Sequence, residues 1–175
     1  MQRIVSFLNY IFLNFERVTD HTYRKITGLP RLSRSLVTPV LYVGGQYSDS
    51  GARKLQLLGI TGVVNMRESS LSFNAQKFGF EVLHLPTQDL HAPSIDNLKK
   101  GVSFIQNKID EGGKVYVHCR WGEGRGPTMA AAYLMVEYKL TPEDAIKQIQ
   151  KIRTFIDVTP PQRSALHTFF EEISK

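Results

Sequence analysis

The order of apolar patterns in this chain predicts an α/β fold, a central and largely parallel sheet flanked by helices. Short runs rich in Val, Ile and Leu alternate with longer segments whose apolar residues recur every three or four positions. Such alternation marks strands joined by crossover helices. The connectors are short, and 175 residues suit one domain with a full core. The first strand is expected at Val40 to Val43, followed by a helix from about Ser50 to Leu58 and a second strand at Gly62 to Met66. Glu81 to Leu85 reads as the third strand. Ser94 directly precedes Ile95, Leu98, Val102, Ile105 and Ile109, so a capped helix starts there. Lys114 to His118 is a buried strand and Thr128 to Leu140 an apolar helix. Thr141-Pro142-Glu143-Asp144 supplies a cap, a first-turn proline and acidic residues for the next helix. Its stripe of Ala145, Ile146, Ile149 and Ile152 is core, and a last helix begins near Gln162. In open α/β sheets ligands lie beyond the carboxyl ends of the strands, which singles out the loops that follow the strands.

One of those loops carries the only cysteine. Cys119 follows the strand in Val117-His118-Cys119-Arg120-Trp121-Gly122-Glu123-Gly124-Arg125, and the apolar helix comes next. A thiol is a nucleophile as thiolate, and its pKa falls at a helix N-terminus among backbone N–H donors and a cation. Gly122 and Gly124 let the backbone curl so that its amides face an anion. Arg125 offers a planar fork to two phosphoryl oxygens, and Pro127 suits the first helical turn. Residues 120 to 125 are therefore the candidate phosphate-binding loop. His118 is placed behind it, orienting the loop and tuning the thiolate through a hydrogen bond. Trp121 either lines the pocket mouth or covers the edge of the core.

The His118-Cys119-x5-Arg125 arrangement resembles the signature of the protein tyrosine phosphatase superfamily. The similarity covers about residues 38 to 172, and the domain's size and short connections resemble the dual-specificity branch. The resemblance implies a three-layer phosphotyrosine-phosphatase-like sandwich and a metal-independent, cofactor-free phosphatase working through a phosphocysteine. It also implies a general acid on a loop upstream of the cysteine. Asp89, in Leu85-Pro86-Thr87-Gln88-Asp89-Leu90-His91, matches that position, with His91 and Asp96 as weaker candidates. Arg67 matches an arginine that braces the active-site loops in similar proteins, and is otherwise a surface charge. Gln162 matches a late glutamine that positions water in some relatives, and is otherwise a polar first-turn residue. A shallow site of this branch admits phosphotyrosine, phosphoserine, phosphothreonine or a non-protein phosphate ester.

Two positions depart from the family pattern. Gly126 stands where a Ser or Thr usually assists release of the thiolate, with Thr128 the nearest hydroxyl. The second chemical step is thereby in question, and a catalytically impaired phosphate-binding module is the alternative. Glu123 beside an anion site opposes Arg120 and disfavours polyphosphorylated ligands. A lipid phosphate phosphatase at a membrane surface is a further alternative. A rhodanese-like sulfurtransferase fits less well, since its loop is typically one residue shorter and it has no use for Asp89.

Residues 1–35 read as a basic amphipathic helix and linker ahead of a catalytic domain at 36–175. They contain six Lys or Arg (Arg3, Arg17, Arg24, Lys25, Arg31, Arg34) against Glu16 and Asp20, which is most of the net charge of +6. Ile4, Leu8, Ile11, Phe15 and Val18 share one helical face, with Phe7 and Phe12 beside it. Packing of that face across the domain is the expected arrangement; peripheral membrane contact and a targeting sequence are the alternatives. No run reaches the roughly 18 apolar residues of a membrane span. A single cysteine excludes an internal disulfide framework and fits a reducing, cytoplasmic setting. The basic residues lack the interleaved aromatic platforms of a nucleic-acid module, so the expected partners are phosphorylated proteins or small phosphate esters.

Overall fold

The computed structural model describes residues 2–70 and 75–175, the side chains of residues 2–6 and 75–76 excepted, so Arg3 and Ile4 lie outside the described side chains. A five-stranded sheet runs in the order β1-β2-β5-β3-β4. Its strands are β1 (Leu36–Thr38), β2 (Leu41–Gly44), β3 (Ile60–Asn65), β4 (Glu81–His84) and β5 (Lys114–His118). β2, β5, β3 and β4 are parallel, whereas β1 turns back antiparallel on β2. The sheet is thus mixed and mostly parallel, and the sequence pattern did not reveal the three-residue edge strand β1. The helices are α1 (Gln2–Thr27), α2 (Asp49–Leu57), α3 (Ile95–Asp110), α4 (Arg125–Tyr138), α5 (Pro142–Ile152) and α6 (Pro160–Ile173).

Both faces of the sheet are covered, because successive side chains of a strand point to opposite sides. From β5, Val115 and Val117 enter a cluster with Leu98, Ile105, Met129 and Leu134 under α3 and α4. Tyr116 between them enters a second cluster with Leu55, Ala52 and Tyr47 on the α2 side. Its hydroxyl donates to the Gly45 carbonyl at 2.6 Å, tying β5 to the segment after β2. Ser48, Ser94 and Thr141 cap α2, α3 and α5 through side-chain acceptors. α4 starts at Arg125, three residues earlier than its apolar pattern suggests, with Gly124 as its N-cap. Arg125, Gly126 and Pro127 are therefore the first helical turn.

α1 is oriented contrary to expectation. Its apolar row faces away from the domain: Leu8, Ile11, Phe15 and Val18 are all exposed, the last two by 64% and 61%. The domain-facing side is polar, with Asp20 and Arg24 buried. Much of the segment's basic charge is likewise turned inward. Arg17 pairs with Glu123, Arg34 with Glu16, and Arg24 lies over the Trp121 ring. Gly28, Leu29 and Pro30 are buried, so the join to the domain is packed rather than an exposed linker.

Candidate active site

The loop between β5 and α4 closes over the sulfur. Cys119 is 3% exposed, and the Gly122 amide donates to its Sγ at 3.2 Å. Gly122 holds φ at +74°, and a side chain there would collide with the Gly44 backbone. Only glycine meets both demands. Arg125, 4% exposed, donates through Nη1 to the Thr87 carbonyl at 2.8 Å and pairs through Nη2 with Asp89 Oδ1 at 2.7 Å. One guanidinium thus joins the cysteine loop to the segment after β4.

That segment is fastened on both sides. The Asp89 amide donates to Glu68 Oε1 at 3.1 Å. Opposite, Thr159 Oγ1 donates to the Leu90 carbonyl at 3.1 Å and Gln162 Nε2 to the His91 carbonyl at 3.1 Å. Leu90 has φ of +64°, an uncommon conformation for a branched side chain that persists where the surroundings hold it. A pocket of about 90 Å³ is lined by Cys119, Arg125, Asp89, Leu90, Trp121 and Gln162 among others. Neither His91 nor Asp96 lines it. Gln162 is a first-turn capping residue, its Oε1 accepting the Thr159 amide in a capping box, and it also lines the pocket.

Next to this pocket lies a second, of about 290 Å³, lined by Arg67, Glu68, Ser69 and Arg120 and sharing Arg125 and Asp89 with the first. The Arg67 guanidinium titrates below its ordinary range, chiefly through partial burial and then through repulsion from Arg120 and Arg125. Three arginines therefore crowd beside one thiol.

The structure bears on Glu123, His118 and Thr128 in turn. Glu123 does not oppose Arg120: its carboxylate lies 3.0 Å from Arg17 Nε and 2.9 Å from His21 Nε2, both on α1. His118 makes no bond to the thiol. It is fully buried, and its Nδ1 contacts the Cys119 carbonyl at 3.2 Å. Only a protonated Nδ1 can donate to that oxygen, so Nε2 is the acceptor nitrogen. Among the described residues it has no protein partner. Thr128 is buried, and its hydroxyl donates to the Gly124 carbonyl at 2.9 Å, so it is engaged on its own helix.

Arg153 and Asp20 carried no motif signal. Arg153 is completely buried. It donates through Nε to the Gly122 carbonyl at 2.6 Å and through Nη2 to the Trp121 carbonyl at 2.9 Å, while Nη2 also pairs with Asp20 Oδ2 at 3.0 Å. Removing one partner of such a pair leaves an uncompensated buried charge, at a cost of about 3–5 kcal/mol. In the sequence Arg153 is one of 22 Lys and Arg residues and sits just past a helix end. A hydrophobic period that stops short of it was the only hint.

A parallel-sheet crevice, a thiol at the base of a glycine-bearing loop and an arginine fork define a cysteine-dependent phosphatase. The chain belongs to the dual specificity phosphatase family, whose catalytic domain it matches over residues 41–172. It is similar to human phosphatidylglycerophosphatase and protein-tyrosine phosphatase 1, at 36% identity over 79% of this chain and 73% of that one. It is also similar to human dual specificity protein phosphatase 26, at 33% identity over 69% of this chain and 59% of the relative. Among solved structures, PTPMT1 in complex with PI(5)P aligns with a TM-score of 0.76 and 35% identity, covering 79% of this chain and 94% of that one. The protein is a phosphoric monoester hydrolase of the dual-specificity type.

Burial holds the His118 imidazole at a pKa of about 3, against 6.5 for a free side chain. Protonation therefore favours the unfolded chain between those values. The His118 contribution to stability is full above pH 6.5 and declines as pH falls toward 3, by about 2 kcal/mol between pH 7 and pH 5. Urea unfolding at those two pH values should show this loss in the wild type and a smaller one in His118→Asn.

Proposed function

We propose that Cys119 is the nucleophile, Arg125 the phosphate clamp and Asp89 the general acid, and that the physiological ester is a phospholipid monoester met at a membrane surface. The observation that carries the chemistry is the convergence of thiol, guanidinium and carboxylate on one small pocket. Sγ attacks phosphorus and the P–O bond to the leaving group breaks, while Arg125 and the loop amides hold the equatorial oxygens. Asp89 gives its proton to the departing oxygen, then takes one from the water that attacks the phosphocysteine and returns the thiolate. An anion that takes Nη2 of Arg125 displaces the Asp89 carboxylate from it. Substrate binding thereby frees the acid to turn to the leaving oxygen.

Three features support a lipid. Arg67 and Arg120 flank the clamp in a pocket large enough for a second anionic group, such as a phosphodiester. Glu123, engaged by α1, no longer argues against polyanions. The outward apolar row of α1 is of the kind that lies in a bilayer interface. Among the described residues no helix is long and apolar enough to cross a membrane, so the contact proposed is peripheral, by residues 1–35. The relatives named for phosphatidylglycerophosphate fit this reading.

A slow second step is the other reading that an observation favours. The Thr128 hydroxyl is donated to Gly124, and Gly126 has none to offer the departing thiolate. A Cβ at Gly126 would meet the Cys119 amide nitrogen at 3.5 Å, an ordinary contact, so serine fits.

Cys119→Ser should abolish turnover of every ester in a panel of phosphatidylglycerophosphate vesicles, phosphotyrosine peptide and aryl phosphate; residual turnover would remove the nucleophile. Asp89→Asn should lower kcat about 10²- to 10⁴-fold for an alkyl leaving group and much less for an activated aryl one. Burst kinetics test the second step: Gly126→Ser should raise the steady-state rate with the burst unchanged, and equal rates would show that release is not limiting. Arg67→Ala should raise KM about tenfold for the lipid, as expected for loss of one charge-assisted contact, with KM for the aryl ester nearly unchanged.

A further inference from the structure

The two faces of α1 meet different partners. One face holds the catalytic loop at three consecutive residues. Asp20 pairs with Arg153, whose guanidinium also donates to the Trp121, Gly122 and Arg34 carbonyls; Arg17 and His21 flank the Glu123 carboxylate; His21 lies against the Trp121 ring at 4.7 Å, with Arg24 over the same ring at 5.1 Å. Gly122 is the residue whose amide reaches Cys119 Sγ. The other face exposes Leu8, Ile11, Phe15 and Val18 in one row, with Ile26 80% exposed in line with it and Lys25 beside it.

An ordinary surface helix buries its apolar row and wets its polar one. Here the arrangement is reversed, and between residues 7 and 19 no side chain of α1 is buried. In water this half of the helix has ion pairs, local side-chain hydrogen bonds and its own backbone but no fully buried side chain, a weak footing for a helical segment. Contact with an apolar medium would bury the outer row and stabilise the helical form along its length. Arg17 and Asp20 on the opposite face would be fixed with it. The net charge of +6 and the exposed Lys25 suit an anionic lipid surface rather than a second copy of an equally positive chain.

We propose that α1 couples lipid docking to the catalytic loop, so that a bilayer raises turnover even of an ester that stays in water. This rests on the membrane reading given above and adds to it an effect on the chemistry. The differential free energy lies in the outer row, which gains burial only on lipid, and is delivered through Asp20 and Arg153 as positioning residues.

The experiment uses the full chain, mixed phosphatidylcholine and phosphatidylserine vesicles, and a water-soluble aryl phosphate. The protein should co-sediment with the vesicles, and kcat should rise at least about fivefold, the lower end of ordinary coupling between sites, with KM little changed. Phe15→Ser with Val18→Ser should keep the lipid-free rate and lose both sedimentation and the rise. Asp20→Asn should still sediment but lose the rise, and Asp20→Glu should restore part of it. Sedimentation with an unchanged kcat would overturn the coupling and leave the membrane reading standing. Failure to sediment would overturn both, and a concentration-dependent dimer abolished by the Phe15 and Val18 substitutions would assign the face to a second copy instead.

Discussion

The buried pair of Arg153 with Asp20 is the constraint on which the site's shape depends. A phosphate-binding loop must turn its amides toward the anion, which leaves its carbonyls pointing back into the protein. Buried carbonyls need donors, and Arg153 supplies them to Trp121 and Gly122 together. A guanidinium so placed needs a counter-charge, and Asp20 is delivered from the far end of the sequence. The loop's geometry is therefore a long-range property: it joins α5's end, the β5–α4 turn and α1. The local glycines permit the loop's conformation, and this pair selects it.

A second ionic link works in the opposite sense. Asp89 and Arg125 meet at the surface of the pocket, the carboxylate half open to solvent, in a place an anion will compete for. Arg153 is sealed among its partners, whereas Arg125 has a partner it can exchange. The contrast follows from burial: a fully desolvated pair is costly to break, while an exposed carboxylate loses little by trading partners. In the proposed mechanism, buried support behind the loop and an exchangeable contact in front of it divide the tasks of holding a phosphoryl group and moving a proton.

The sheet and helices were legible because their signals are local. β5 and α3 announce themselves in apolar spacing and a serine cap, and the Cys119–Arg125 loop in its glycines. β1 was missed because three residues carry no period, and α4's start was misplaced because Arg125 and Gly126 are polar or bare although buried. The orientation of α1 was misjudged for a different reason. Amphipathicity identifies an apolar face but not which side the domain takes, and the inward side is decided by Asp20 finding Arg153, far along the chain. Glu123 was misjudged likewise, since its partners Arg17 and His21 belong to that same helix.

A Cβ at Gly122 would strike the Gly44 backbone, and one at Gly124 would crowd the Gln162 side chain and the Asp157 carbonyl. With Cys119 and Arg125 as the proposed nucleophile and clamp, the loop has three further positions, Arg120, Trp121 and Glu123, that carry side chains. Two of these three rest against α1. A change in the loop's side chains thus involves a helix outside the span 41–172 that matches the family, so substitutions far from the pocket can alter the loop that forms it.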